Sequence, residues 1–193
     1  MKVKRELDIE VHEGVYEPSD DTYLLLDIIQ LEGQKEILEI GCGSGIISLH
    51  CSAQGCNVLS VDRDEKALKN TKINAKKNNL DISVRKSHLF SNINKDDWNI
   101  IIFNPPYLPR DEFLSKDDRW DGGKKGDEII VRFLAKAKDY LKKDGKLFMC
   151  YSSLSPKERI KNIIDKRYEI VNFEKKEFFF ETLYGLELNK RKR

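Results

Sequence analysis

The sequence predicts an α/β protein of the doubly wound, Rossmann-like kind, and three observations carry that prediction. Glu36 to Ile40 is a short apolar strand that runs into Gly41-Cys42-Gly43-Ser44-Gly45 and then into the apolar helix Ile46 to Ala53. Strand, glycine turn and helix in that order open a nucleotide-binding unit, because small residues let backbone approach a ligand at a helix N-terminus. A second strand, Asn57 to Val61, ends in Asp62 at the distance where an acidic residue meets ribose hydroxyls in such folds. Beyond it, short apolar runs alternate with amphipathic segments, the pattern of a mostly parallel sheet covered by helices on both faces.

The elements follow in order. Residues 1 to 19 carry few periodic apolar positions, and Val11 to Pro18 reads as extended chain and turn. Ser19 or Asp20 caps a helix from about Asp21 to Gln30, with Leu24, Leu25, Ile28 and Ile29 on one side, and Gly33 ends it. Asp64 to Asn78 is the helix after Asp62, with Ala67, Thr71 and Ala75 as its small-residue face. Ile82 to Lys86 is a third strand, followed by the loop Ser87-His88-Leu89-Phe90. Trp98 to Phe103 is a fourth and delivers Asn104-Pro105-Pro106-Tyr107 at its C-terminal end. Leu108 to Gly126 is a long polar loop holding Trp120 and three glycines. Loops of that length are usually functional or disordered, and an aromatic residue among glycines beside the reactive centre favours a substrate loop over 108–126. Asp127 to Lys142 is an amphipathic helix ended by Gly145, with Ile129, Ile130, Phe133, Leu134, Ala137 and Leu141 on its buried side. Lys146 to Tyr151 is strand five, Ser155-Pro156 opens a helix to about Lys166, and Tyr168 to Phe173 and Thr182 to Leu188 are the last strands.

At 193 residues the chain is sized for one well-buried domain, with residues 1–30 as an N-terminal extension and helix. A charged fraction of 35% and the absence of a long apolar run exclude a membrane span by helices and suit a cytoplasmic protein. Net charge is +2, from 35 basic and 33 acidic residues, so no global field drives the chain onto nucleic acid, and the basic end Lys190 to Arg193 reads as a solvated terminus. Cys42, Cys51, Cys56 and Cys150 show no Cys-x-x-Cys spacing, which points to reduced thiols, and no metal site is expected from His50, Cys51 and Cys56.

The glycine spacing narrows the ligand. A dinucleotide fingerprint is Gly-x-Gly-x-x-Gly; here the third glycine comes one position early and Ile46 stands in its place, which disfavours a pyrophosphate. Glu39, just ahead of the glycines, repels phosphate and welcomes an ammonium, as the amino acid end of S-adenosylmethionine requires. Asp62 suits its ribose, Leu89 or Phe90 its adenine ring, and His88 the polar edge of that ring or open solvent.

Asn104-Pro105-Pro106-Tyr107 fits a cradle for a planar amino group. Two consecutive prolines are stiff and have no N–H, so the segment presents acceptors, its carbonyls and the Asn104 side-chain oxygen. If two acceptors hold both hydrogens of an NH₂ group, its nitrogen is free to pyramidalise and aim its lone pair at an electrophile, while Tyr107 packs on the flat face. An ordinary turn also fits these four residues taken alone.

Glu39 to Gly45, Asp62 and Asn104 to Tyr107 together resemble the class I S-adenosylmethionine-dependent methyltransferases of planar amino groups. Val15-Tyr16-Glu17-Pro18-Ser19-Asp20-Asp21-Thr22, the Trp120 to Gly126 loop and Glu181-Thr182-Leu183 are similar to one branch, the HemK/PrmC-type glutamine methyltransferases in their short archaeal and eukaryotic form. The resemblance covers about Val11 to Leu188 and implies a seven-stranded sheet with the last strand antiparallel. It implies N5-methylation of the glutamine in the Gly-Gly-Gln loop of a peptide release factor. It places Thr22, Glu39, Gly41, Gly43, Asp62, His88, Leu89 and Asn104 on the cofactor, Asn104, Pro105 and Tyr107 in catalysis, and Pro106 and Trp120 with them on the substrate. His88 departs from the family's usual aspartate; a neutral histidine accepts from the adenine amino group through one nitrogen, which predicts cofactor affinity that weakens on acidification. The family further implies a small zinc-binding activator, with the edge near Ile82 to Lys86 as a docking strand. Since the cradle does not by itself tell one planar amine from another, an adenine-N6 methyltransferase is the alternative reading. A lysine methyltransferase and a non-catalytic cofactor-binding subunit come after it.

Overall fold

The computed structural model describes residues 6–95, 98–107 and 126–191. Helix α1 (Asp20–Ile28) precedes β1 (Glu36–Ile40), α2 (Ile46–Ala53), β2 (Asn57–Asp62), α3 (Glu65–Lys77), β3 (Ser83–Lys86) and β4 (Trp98–Phe103). After the residues at 108–125 come α4 (Glu128–Ala137), β5 (Leu141–Ser152), α5 (Lys157–Arg167), β6 (Tyr168–Glu177) and β7 (Thr182–Lys190). The seven strands form one sheet in the order β3-β2-β1-β4-β5-β7-β6. Strands β1 to β5 pair in parallel and β7 runs antiparallel to both β5 and β6, so the final strand alone is reversed. The strand order turns between β1 and β4, and both deliver their loops into the crevice that opens there.

Strand β4 shows why the sheet is buried on both sides. Its side chains alternate, and because each face has its own helix layer the strand reads as a continuous apolar run from Ile100 to Phe103. Ile100 and Ile102 join Ile37, Val58 and Phe148 beneath Leu25 and Ile28 of α1 and Ile47 of α2. Ile101 and Phe103 join Leu38, Val61, Leu147 and Met149 beneath Ile130, Phe133 and Leu134 of α4 and Ile160 and Ile164 of α5. Ile101 and Ile102 are fully buried, and each contributes about 1.5–3 kcal/mol of burial on opposite faces.

Two expectations about the C-terminal half are corrected. The helix expected over 127–142 ends at Ala137, and Leu141 opens β5 opposite Trp98. Gly145 lies inside that strand instead of ending a helix, where the register shifts between Trp98 and Ile100. A Cβ there would stand 2.9 Å from the Trp98 carbonyl oxygen, so only glycine lets the two backbones approach. The last two strands run further than expected, to Glu177 and Lys190.

The N-terminal segment is held by side chains and not by the sheet. Asn70, Asn74 and Asn78 stand one helical turn apart on α3 and are buried. Their Oδ1 atoms accept from the backbone N–H groups of His12 (2.7 Å), Glu10 (3.0 Å) and Asp8 (2.9 Å). In return Asn78 Nδ2 donates to the Asp8 carbonyl, and Asn70 and Asn74 Nδ2 both donate to that of Glu10. Four helical residues rise about 6 Å and two extended residues about 6.6 Å, so the spacings match. The ladder leads the chain to Gly14, Val15 and Tyr16 at the mouth of the crevice.

Candidate active site

One cavity of about 480 Å³ opens where β1, β2 and β4 end, a size suited to a small-molecule ligand. Thr22, Glu39, Gly41, Gly43, Asp62, His88, Leu89, Asn104, Pro105, Pro106 and Tyr107 all line it, whereas Phe90, the alternative to Leu89 for the adenine ring, is packed into the core against Phe133 and Tyr140 and does not. Trp120 and most of the 108–126 loop lie outside the described residues.

The glycine loop is shaped by its fit under α3. Gly45 sits at φ +84°, and a Cβ there would lie 2.8 Å from Thr71 Cγ2. Thr71 Oγ1 donates to the Gly43 carbonyl at 3.2 Å, and Asn74 Nδ2 to that of Ser44 at 2.9 Å. The ladder asparagine therefore ties the N-terminal segment to the loop. Gly45 has no side chain to cap α2, and Glu39 of β1 does so, accepting from the Ser48 N–H (3.1 Å) and the Ser48 hydroxyl. These donors and the helix dipole favour the carboxylate. Burial outweighs them: Glu39 is 2% exposed, and its pKa is pushed up to about 8. A buried carboxyl in that state is one an incoming ammonium would ionise. Asp62 accepts from the Gly43 N–H at 3.3 Å and the Asp64 N–H at 2.9 Å, and burial raises its pKa as well.

Leu89 adopts φ +51°, uncommon for a bulky side chain, and the Ser87 hydroxyl donating to its carbonyl at 2.9 Å helps hold it there. The conformation places a buried apolar side chain on the cavity wall. Exposed His88 stands at the rim with Nε2 3.3 Å from Arg132 Nη2. A guanidinium only donates, so Nε2 accepts and Nδ1 carries the hydrogen. The accepting nitrogen expected for the adenine amino group is thus taken by Arg132. Partial burial and the charges of Arg132 and Arg63 lower the His88 pKa, which moves any loss of affinity through its protonation below the ordinary imidazole range.

The cradle end is built around Asp21, which the sequence placed at a helix start and in the Val15 to Thr22 motif but assigned no role in the site. Asp21 is 3% exposed. Its Oδ1 accepts from the Tyr16 hydroxyl (2.7 Å), the Thr22 N–H (2.5 Å) and the Thr22 hydroxyl (3.1 Å), and Oδ2 from the Tyr107 hydroxyl (3.1 Å). Burial first, and the Asp21 charge second, raise both tyrosine pKa values far above the ordinary phenol, so both stay neutral donors. The Tyr107 carbonyl accepts from the Ser155 hydroxyl at 2.9 Å. Asn104 is oriented by its own amide, Nδ2 donating to Thr22 Oγ1 at 3.3 Å, while its Oδ1 is buried and has no partner among the described residues. That orphaned acceptor, beside two prolines without N–H, awaits a donor. The signal for Asp21 was a carboxylate between two tyrosine-bearing segments, and apolar periodicity does not register it.

The family of these residues is now defined. Residues 6–180 match the model of the methyltransferase small domain. A presumptive protein N5-glutamine methyltransferase of Methanocaldococcus jannaschii is 41% identical over 154 residues, 77% of this chain and 78% of the relative. The eRF1 methyltransferase catalytic subunit mtq2 of Schizosaccharomyces pombe is 30% identical over 199 residues, 88% of this chain and 86% of that one. Among solved structures, the E. cuniculi Mtq2–Trm112 complex, responsible for methylation of the eRF1 translation termination factor, superposes with a TM-score of 0.71 at 27% identity, covering 92% and 99% of the two chains. A ribosomal protein L11 methylase of Lactobacillus delbrueckii shares the fold, with a TM-score of 0.74 at 17% identity over 95% and 86%. The chain belongs to the small-domain methyltransferases and, within them, to the HemK/PrmC-type branch of archaea and eukaryotes. It is an S-adenosylmethionine-dependent enzyme, and the buried acid and glycine loop fit that cofactor.

Proposed function

We propose that this enzyme methylates the side-chain amide N5 of the glutamine in the Gly-Gly-Gln loop of a peptide chain release factor. Asn104 carries the reading: a buried amide oxygen without a partner, held in place from its other end by Thr22, is the acceptor a primary amide needs. When bound, S-adenosylmethionine supplies an electrophilic methyl group. Glu39 holds its ammonium, Asp62 its ribose, Leu89 and His88 border adenine, and Thr22 and the glycines at 41 and 43 complete the wall. Asn104 Oδ1 and the Pro105 carbonyl would accept hydrogen bonds from the two amide hydrogens, leaving the nitrogen lone pair free to bond the methyl carbon as its bond to sulfur breaks. The acceptors match the positive charge that develops, and release of one N5 proton to water then restores the neutral amide. Pro106 and Tyr107 flank the amide plane, and the family resemblance assigns Trp120 of the 108–126 loop to the substrate as well. The Tyr16 and Tyr107 hydroxyls donate to Asp21, so neither is a base, and the geometry asks for none before transfer.

The same reading includes a small zinc-binding activator and a cytoplasmic site of action, since the substrate belongs to translation. Strand β3 is an edge of the sheet with three of its four residues exposed, which supports docking there by strand addition. No helix among the described residues is long and apolar enough to cross a membrane. The test is mass spectrometry of a release factor incubated with enzyme and cofactor, with and without the activator, beside a Gln→Ala loop variant and an RNA control. One added methyl group on the loop glutamine, lost with Asn104→Ala, is the expected result; label in RNA alone would transfer the assignment to nucleic acid.

A further inference from the structure

The turn between β6 and β7 exposes three consecutive phenylalanines. Phe179 is 92% exposed, Phe180 83% and Phe178 41%. Phe179 and Phe180 meet edge to face at 4.4 Å, and the Phe178 N–H donates to the Glu181 carbonyl at 2.7 Å, so the turn is built and not frayed. The core does not use these rings, and aromatic side chains of this kind dominate protein interfaces when they stand in water on a monomer.

Their place in the sheet says what they face. Strand β6 is antiparallel to β7, which is antiparallel to β5, so the end of β6 lies on the same side as the ends of β1 and β4 that form the cavity. The turn is tied to the cradle by short links. Ser153 N–H donates to the Thr182 carbonyl at 2.8 Å and its hydroxyl accepts from the Thr182 N–H at 2.9 Å. Two residues on, past half-exposed Leu154, Ser155 donates to the Tyr107 carbonyl. Lys176, beside the turn, pairs at 2.6 Å with Asp20, the neighbour of the Asp21 hub. Glu181 contributes a buried carboxylate oxygen, Oε1, that has no partner among the described residues, an acceptor of the kind a backbone N–H would fill. It lies near enough for its charge to raise the Tyr107 and Cys150 pKa values.

We infer that the β6–β7 turn, with Phe178, Phe179, Phe180, Leu154 and the Glu181 carboxylate, is the docking surface for the folded body of the protein substrate beside its acceptor loop. This rests on the glutamine reading above. A target glutamine entering at Asn104 brings the rest of its own domain against whatever rims that end of the sheet, and these rings are the apolar part of the rim. The surface is continuous with the cradle through Ser155 and Thr182, whereas the activator edge proposed at β3 is the opposite end of the sheet. It adds affinity and leaves the chemistry at Asn104 untouched.

The double variant Phe179→Ser, Phe180→Ser tests this, assayed with whole release factor and with a synthetic peptide spanning the Gly-Gly-Gln loop. Both side chains are almost wholly solvent-exposed, and calorimetric cofactor binding checks that the variant is intact. The expected result is a KM for whole release factor raised at least about tenfold with kcat retained, and peptide kinetics unchanged. Equal loss on peptide and protein, or no loss on either, overturns the inference while leaving the glutamine reading in place. A shift of wild-type sedimentation from dimer to monomer in the variant, or a KM effect seen only when the activator is present, assigns the surface to another occupant and also overturns it. A wild-type enzyme that methylates neither substrate sinks both readings.

Discussion

Glu39→Gln isolates what the buried acid does. Moving a carboxyl from its ordinary 4.5 to about 8 disfavours its ionised form in the folded protein by about 5 kcal/mol. The folded state therefore keeps a proton that the unfolded chain gives up between those values. The stability of the cofactor-free enzyme must fall as pH rises through this window and level off above about 8. Glutamine keeps an acceptor for Ser48 and has nothing to ionise, so the variant loses this fall, and its melting temperature overtakes that of the parent between pH 5 and 8. Binding reports the other side of the same balance. An ammonium stabilises ionised Glu39, so cofactor binding releases a proton below the pKa and affinity climbs about tenfold per pH unit from pH 6 towards 8. Above that range the α-amino group of the ligand, with an ordinary pKa of about 8, begins to lose its own charge. Calorimetric titration at pH 6, 7 and 8, with thermal denaturation of the free enzyme, measures both slopes. 5′-Methylthioadenosine, which lacks the amino acid end, provides the control and shows no slope from Glu39. Parallel pH profiles for parent and Glu39→Gln in both experiments would refute the reasoning.

Three other perturbations separate the parts of the site. Asn104→Ala removes the orphaned acceptor, and kcat falls about 10²–10³-fold while calorimetry still detects cofactor binding. Asn74→Ala breaks the bonds to Glu10 and Ser44 and strands buried backbone groups, costing about 2–3 kcal/mol in denaturant titrations and speeding hydrogen exchange at the Glu10 amide. Gly45→Ala meets Thr71 at 2.8 Å in a left-handed backbone and costs about 2–4 kcal/mol, and Thr71→Ala in the same chain restores the part due to the clash, which chemical denaturation of the single and double variants resolves.

Legibility followed the kind of signal. The bounds of β1, α2 and β4 agree with the sequence because Glu36–Ile40, Ile46–Ala53 and Trp98–Phe103 are apolar runs closed by glycine or proline on at least one side. The end of α4 was misplaced because Leu141 continues the helical spacing of Ile130, Phe133, Leu134 and Ala137, and periodicity does not distinguish one further helical turn from the first buried residue of the next strand. The site residues assigned from the glycine, acid and proline motifs line the cavity, since those residues at strand ends constrain backbone and charge locally, while the choice between Leu89 and Phe90 needed the fold, which turns Phe90 into the core. The features that escaped are polar and long-range. Asn70, Asn74 and Asn78 repeat every fourth residue, a spacing visible in the sequence, yet their partners are backbone groups about 60 to 70 residues away whose course no side-chain pattern encodes. Asp21 escaped for the same reason, having Tyr107 as a partner 86 residues distant.

That carboxylate has a thermodynamic consequence. Asp21 takes a hydroxyl from Tyr107 on one oxygen and both donors of Thr22 on the other, and Thr22 in turn receives Asn104. On the roles proposed above, the wall for the methyl donor and the wall for the methyl acceptor share one carboxylate, and neither shifts without redistributing its hydrogen bonds. The two ligands sense each other through it, and by reciprocity any factor by which the donor strengthens acceptor binding is the factor by which the acceptor strengthens donor binding. Transfer changes both ligands in a single event, neutralising the sulfonium and enlarging the amide, so the favourable coupling of reactants is withdrawn from both products together. On those roles Asp21, a side chain in the first turn of α1, is the place where order of addition and ease of release would be set.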